Sequence, residues 1–199
     1  MALNRLSRHF VSAAAVATVV GGANAALVQS SVANLAIPVT SAGVYVNVVT
    51  GATSLANFTG ADINPWGSTN LGFFNTVSTF ASYVRSAGTT GISNLAIGAT
   101  IGGSSTFSSG TAQTTGTGAF VLNSSNNFVG FRFTNEANGG LTHYGFMQIQ
   151  LGASQTDSVR KIVGIWYEDV AGVAVTVVPT PGAMALIGLA GLAARRRRR

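Results

Sequence analysis

Phe128-Val129-Gly130-Phe131-Arg132-Phe133-Thr134 decides the fold class of this chain, together with the two runs that follow it. Val129, Phe131 and Phe133 fall on one side of an extended strand and Arg132 on the other, because side chains alternate along a strand with period two. Asn135-Glu136-Ala137-Asn138-Gly139-Gly140 then reads as a hairpin loop. Beyond it, His143, Gly145, Met147, Ile149 and Leu151 oppose Tyr144, Phe146, Gln148 and Gln150. A third run places Val163, Ile165 and Tyr167 opposite Ile162, Gly164 and Trp166, and Val173, Val175 and Val177 form a fourth. Ala153 to Ser158 and Glu168 to Gly172 supply the turns between them. The C-terminal half is therefore expected to be an antiparallel meander of about four strands.

Upstream, Val44, Val46 and Val48 share one face of Gly43 to Val49, and Phe120 and Leu122 share one near Gly118 to Leu122. Ser86 to Thr117 is rich in Gly, Ser and Thr and predicts short strands around Leu95 to Ile101 and Ser105 to Ser109, joined by long loops. One or two short helices are expected near Asn75 to Arg85. No fixed-period repeat is evident. The expectation is an all-β body over residues 26–178, an antiparallel β-sandwich with jelly-roll-like connections, long enough for a sizeable core.

Both ends of the chain differ from this body. Residues 1–25 have the anatomy of a secretory signal peptide: Arg5, Arg8 and His9, then an apolar run from Phe10 to Val20, then Ala23-Asn24-Ala25 as a small-x-small cleavage pattern. The mature chain would begin at Ala26. At the other end, Thr180 before Pro181 suits an N-cap followed by proline at the first helical position. Gly182 to Ala194 is wholly apolar, a helix of about 20 Å at 1.5 Å per residue, short against a hydrocarbon core of about 30 Å. Arg195, Arg196, Arg197, Arg198 and Arg199 follow directly and would hold that end in the cytoplasm.

The formal charge of +6 belongs to these end segments. The body carries Arg85, Arg132, Arg160 and Lys161 against Asp62, Glu136, Asp157, Glu168 and Asp169, so it is nearly neutral and has no basic footprint for nucleic acid. With no cysteine, thiolate catalysis, zinc–cysteine sites and disulfides are all excluded.

The order signal peptide, body, Val178-Pro179-Thr180-Pro181-Gly182-Ala183, apolar helix and arginine run resembles the PEP-CTERM family of exosortase substrates. Threonine stands where the family's namesake tripeptide has glutamate. The resemblance covers the two ends of the chain. It implies a sorting motif at Pro179, Thr180, Pro181, Gly182 and Ala183, an exosortase-type membrane enzyme as partner, and transient anchoring in the inner membrane through a transmembrane sorting helix. Release to the cell surface or an exopolysaccharide matrix, as in a biofilm, would follow. Phe131-Arg132-Phe133, His143-Tyr144-Gly145-Phe146 and Gly164-Ile165-Trp166-Tyr167-Glu168 also resemble bodies found among PEP-CTERM proteins, and no activity attaches to that pattern.

No catalytic constellation is legible. His143 is the one histidine of the body, has no placed nucleophile, and reads as a structural residue at a strand start. Glu136 and Glu168 could form a glycosidase pair only if folding brought them together, and both lie at turns. Asp62 and Asn64 in Gly60-Ala61-Asp62-Ile63-Asn64-Pro65-Trp66 offer alternating oxygen ligands to calcium, with Glu168-Asp169 as a further source. An Asx turn at Asp62 is the plainer reading. Trp66, Phe73, Phe74, Tyr144, Trp166 and Tyr167 could stack on sugar rings, but most should be core, which leaves Trp66 as the best exposed candidate. The leading expectation is a non-enzymatic surface or matrix protein, structural, adhesive or associated with extracellular polysaccharide, with no required cofactor. The alternatives are a secreted polysaccharide hydrolase and a membrane-retained envelope scaffold.

Overall fold

The computed structural model describes residues 25–75, 83–86 and 88–178. Ala23 and the whole of 179–199 with its sorting motif and arginines lie outside the described residues, as do residues 76–82 of the stretch expected to hold one or two short helices; Asn75, Tyr83 and Val84 at its ends are in strands. The strands in chain order are β1 (Leu27–Ala36), β2 (Tyr45–Val46), β3 (Thr53–Ser54), β4 (Ile63–Trp66), β5 (Gly72–Asn75), β6 (Tyr83–Val84) and β7 (Thr100–Ile101). They continue with β8 (Phe107–Ser108), β9 (Gly110–Thr111), β10 (Ser124–Asn135), β11 (Leu141–Leu151), β12 (Lys161–Glu168) and β13 (Val175–Thr176). The body is all-β, and these strands pair antiparallel throughout.

Three sheets result: β1-β12-β11-β10-β6-β8, β3-β2-β4-β5-β9, and the pair β13-β7. The β10-β11-β12 meander forms as its alternation predicts, with Phe131 opposite Gly145 and Phe146 opposite Trp166. The Asn135–Gly140 loop closes it: the Asn135 side chain accepts from Ala137 N–H, and Gly139 takes the left-handed conformation at φ 64°.

β13 corrects the expected four-strand meander. It pairs with β7, not with β12, whose open edge is taken by β1 from the start of the body. After Asp169 the chain crosses the sheet instead, and Gly172 N–H reaches the Thr142 carbonyl at 2.9 Å.

The strands β10, β11 and β12 are buried on both faces. Val129, Phe131, Phe133, Met147, Ile165 and Tyr167 join Val44, Val46, Val48, Ile63 and Phe73 in one apolar cluster, so the six- and five-stranded sheets contribute to a common core. Phe128, Tyr144, Phe146 and Trp166 point the other way, into a second cluster with Val84, Ile101, Val175 and Val177. Glycine makes room for this close layering: a Cβ on Gly145 would stand 2.7 Å from both the Phe131 ring and the Trp166 carbonyl.

In β12 the predicted alternation breaks once. Gln148 pairs with Gly164 but Ile149 with Ile162, so Val163 is an extra residue in a β-bulge. The bulge turns Ile162 to the same core as Ile165 and leaves Val163 half-buried. Gly118 to Leu122 is likewise a loop, not a strand: Phe120 is buried, but Leu122 is 44 % exposed. The Asn127 side chain takes the place of a neighbouring strand there, accepting from Val121 N–H at 2.7 Å and donating to its carbonyl at 2.9 Å.

Two buried side chains tie the sheets and loops together. Tyr83 in β6 accepts from Asn64 N–H at 2.9 Å and donates to the Phe74 carbonyl at 3.1 Å, joining the six-stranded sheet to β4 and β5. Burial pushes its phenol pKa up. Arg160, fully buried, donates to the carbonyls of Ile37, Pro38, Gly67, Asn70 and Gln155, so one planar guanidinium holds three separate loops. Replacing Arg160 with Met should destabilise the body by at least about 3 kcal/mol, since several buried carbonyls lose their donor at about 1 kcal/mol or more each. Arg160→Lys should recover only part of that, and Tyr83→Phe should cost about 1–3 kcal/mol. Urea denaturation midpoints would check the three variants.

Candidate functional site

The side chains with chemical potential gather mainly around one corner, where the β10–β11 hairpin, the end of β12 and the Gly60–Asp62 turn meet. His143 starts this network. Asn138 donates its amide to His143 Nε2 at 3.1 Å, so the ring carries its proton on Nδ1 and donates to the Glu168 carbonyl at 2.8 Å. The imidazole is fully buried and packs on Phe133, with ring centroids 5.6 Å apart. Both nitrogens are thus engaged in holding a hairpin loop against a strand end.

Glu136 is exposed in the hairpin turn, whereas Glu168 is buried. The two acids belong to different partnerships. Glu168 hydrogen-bonds to its neighbour Asp169, and its carboxyl is pushed up first by burial and then by that bond. Asp169 is pulled down, chiefly by the N–H of Ala26. Glu136 acts through its charge on Asp62.

Asp62 does not form the Asx turn expected from its sequence. Its Oδ2 accepts from Val48 N–H at 2.7 Å, fourteen residues away in the chain, and its Oδ1 is buried without a hydrogen-bond partner. Burial, reinforced by the charge of Glu136, raises its pKa from 3.8 to about 7 against the opposing pull of Val48 N–H. The Asn64 amide nitrogen turns away to the Ala42 and Val44 carbonyls, 3.0 Å from each. Among the described residues, no three His, Asp or Glu side chains are grouped so as to hold a metal ion.

The aromatic candidates divide by sheet face. Phe73 is core and packs at a tilt against Tyr83 and Phe120, while Tyr144, Trp166 and Tyr167 are buried in the two clusters. Trp66 and Phe74 lie on the opposite side of β4–β5 from Phe73, by the register Asn64↔Phe74 and Trp66↔Gly72. Phe74 is 52 % exposed and Trp66 is half-buried across Gly72.

An open pocket of about 380 Å³ lies elsewhere, lined by Asn94, Leu95, Ala96, Ile97, Gly118, Ala119, Asn126 and Phe128. Its most inward amide is already occupied. Asn94 donates to Ala119 O, Asn126 O and Asn127 Oδ1 and accepts from Phe128 N–H. Asn126 is the other side-chain amide of the lining and is exposed.

Sequence reasoning missed the roles of Arg160, Asn94, Asn127 and Tyr83. Little in the local sequence marks them: Asn127 closes the polar run Asn123 to Asn127, and Arg160 stands in the largely polar stretch Ser154 to Lys161. Comparison of the chain with protein-family models, with characterised proteins and with solved structures finds no match.

Asp62 gives the corner a pH signature. The folded state binds its proton more tightly than the unfolded chain does, so this contribution to stability is full below about pH 4 and is lost as pH rises towards 7. At ~1.4 kcal/mol for each tenfold change in proton affinity, the loss is on the order of a few kcal/mol. Asp62→Asn keeps an acceptor for Val48 N–H and carries no charge, so it should flatten the change in stability between pH 4 and pH 8. Denaturant midpoints across that range would measure it, and an unchanged slope in the variant would assign the pH dependence to other groups.

Proposed function

We propose that this chain is an exported cell-surface or extracellular-matrix protein whose body is a β-sandwich of jelly-roll-like type. The body acts without catalysis, as a structural, adhesive or carbohydrate-associated component. Its tail is handled by an exosortase-type membrane enzyme. One sequence observation carries this reading: a signal peptide ending at Ala25, and a Pro179-Thr180-Pro181 motif followed by an apolar stretch and five terminal arginines.

The described body supports these boundaries. Its first hydrogen bonds join Ala26 to Asp169, and at the other end Val177 is bonded to both Gly98 and Ala99. The chain between the two expected processing points is therefore closed at each end by its own contacts. The core shared by the six- and five-stranded sheets favours the sandwich. Phe74 with Trp66 beside it offers an outward-facing apolar surface of the kind that packs against sugar rings.

The hydrolase alternative has less support, because Glu168 is paired with its own neighbour while the charge of Glu136 acts on Asp62. A membrane-retained scaffold requires an uncleaved tail.

Mass spectrometry of the surface-exposed product in its native host tests the sorting step. The expected product ends near Pro179 to Pro181 and lacks the arginine run; an intact Arg199 on the mature surface protein would remove the processing step. Phe74→Ala should weaken retention on the host's isolated matrix polysaccharide several-fold while leaving the thermal midpoint close to wild type. Unaltered retention would take Phe74 out of any sugar-contacting surface.

A further inference from the structure

The acids at the end of β12 face the residue that signal-peptide removal would expose. Leu27 pairs with Glu168 as the first register pair of β1 with β12. One step further out, Ala26 N–H donates to Asp169 Oδ1 at 2.9 Å, and Asp169 N–H returns a bond to the Ala26 carbonyl at 3.2 Å. Ala25 and Ala26 are both exposed. Glu168 and Asp169 hydrogen-bond to each other, and the Ala26 N–H acts on both carboxyls. Lys161 lies at the opposite end of β12, roughly 23 Å away at 3.3 Å per residue, and Arg160 is given over to backbone carbonyls. His143 and Tyr167 are the other titratable groups near this pair.

We infer that Glu168 and Asp169 form a binding site for an ammonium group, the α-amino group of the chain's own Ala26, created when the signal peptide is removed. This rests on the cleavage reading given above. Water adds across the Ala25–Ala26 peptide bond; Ala25 leaves as a carboxylate, and the Ala26 nitrogen takes up protons to become an ammonium. Before cleavage that nitrogen is a neutral amide with one donor. Afterwards it carries three donors and a positive charge, already placed against an adjacent acid pair. Processing thereby converts the hydrogen bond of the Ala26 nitrogen into an ion pair and fastens the residue before β1 to the residue after β12.

The test uses the protein as exported from a bacterial host. N-terminal mass spectrometry first establishes the start of the mature chain. The rate at which its α-amine reacts with a pyridinecarboxaldehyde is then followed against pH for the wild type and for Asp169→Asn, with near-ultraviolet circular dichroism confirming that both are folded. A carboxylate partner raises the pKa of an ammonium above the usual value of about 7.7–8.0. At pH 7 the wild-type amine is expected to react about tenfold more slowly than that of a short Ala-Leu-Val peptide, and Asp169→Asn to recover most of that rate. The wild-type measurement stands alone if the variant does not fold. A start at a residue other than Ala26 overturns both the cleavage reading and this inference. A start at Ala26 with the reactivity of the free peptide overturns the ammonium site and leaves the cleavage reading intact.

Discussion

Burial of both faces of β10, β11 and β12 is the constraint on which the rest of this body depends. An antiparallel sheet can leave one face to water, and then only one cover is needed. Here Val129, Phe131 and Phe133 face one apolar cluster while Phe128, Phe146 and Trp166 face another. The chain must therefore supply a layer on each side. The five-stranded sheet provides one cover. The other comes from Val84, the Leu95 to Phe107 stretch and Val175 to Val178. The pairing of β13 with β7 fits this need: Val175 and Val177 are buried in the cluster of Trp166 and Phe146, and the β12 edge is already filled by β1.

The covers are made largely of short strands and loops, and such segments have backbone groups that ladders do not satisfy. Buried polar side chains meet that need. The Asn47 side chain accepts from both Val49 and Thr50 N–H; Asn94 clasps the Gly118 to Phe128 segment; Asn127 stands in for a strand beside Val121. Arg160 does the same on a larger scale, with five carbonyls around one guanidinium. Burial lowers its pKa, yet the carbonyl cage supplies the negative ends of dipoles where a carboxylate would otherwise be needed. A body without disulfides holds its loops by this means.

The strands β10, β11 and β12 and the hairpin loop were legible because alternation and turn chemistry both act locally, whereas β1 was not foreseen. Asn135 to Gly140 contains its own cap and its own left-handed glycine, so nothing distant is required. What remained hidden was set by distant partners. The alternation of Ile162 to Tyr167 carries no mark of the bulge at Val163, which comes from its register with β11. Val173 to Val177 looks like the next strand of the meander until β1, more than a hundred residues earlier, occupies the edge it would have used. Asp62 reads as a local turn residue, but its partner Val48 lies on another strand's turn, and only burial gives it an unusual proton affinity. The roles of His143 follow the same division: its structural character was readable from the lack of a nucleophile, but the Asn138 and Glu168 contacts that define it come from the fold.

The distribution of charge also argues for what this body does with its few ionisable groups. Asp62, Glu136, Glu168 and Asp169 are linked through one corner, by way of Asn138 and His143, while Asp157 caps the turn that delivers Arg160. Each buried or hydrogen-bonded acid holds a backbone N–H: Val48 for Asp62, Val170 for Glu168, Ala26 for Asp169, Ala153 and Val159 for Asp157. A catalytic acid pair needs two carboxyls presented to a shared cleft with opposite proton occupancies. The perturbed acids here are paired with segments of their own chain, and their altered affinities follow from the closure of loops and ends. In a body so poor in charge, carboxylates are placed where the fold would otherwise come apart, at the β1–β12 terminus, the hairpin corner and the Arg160 turn.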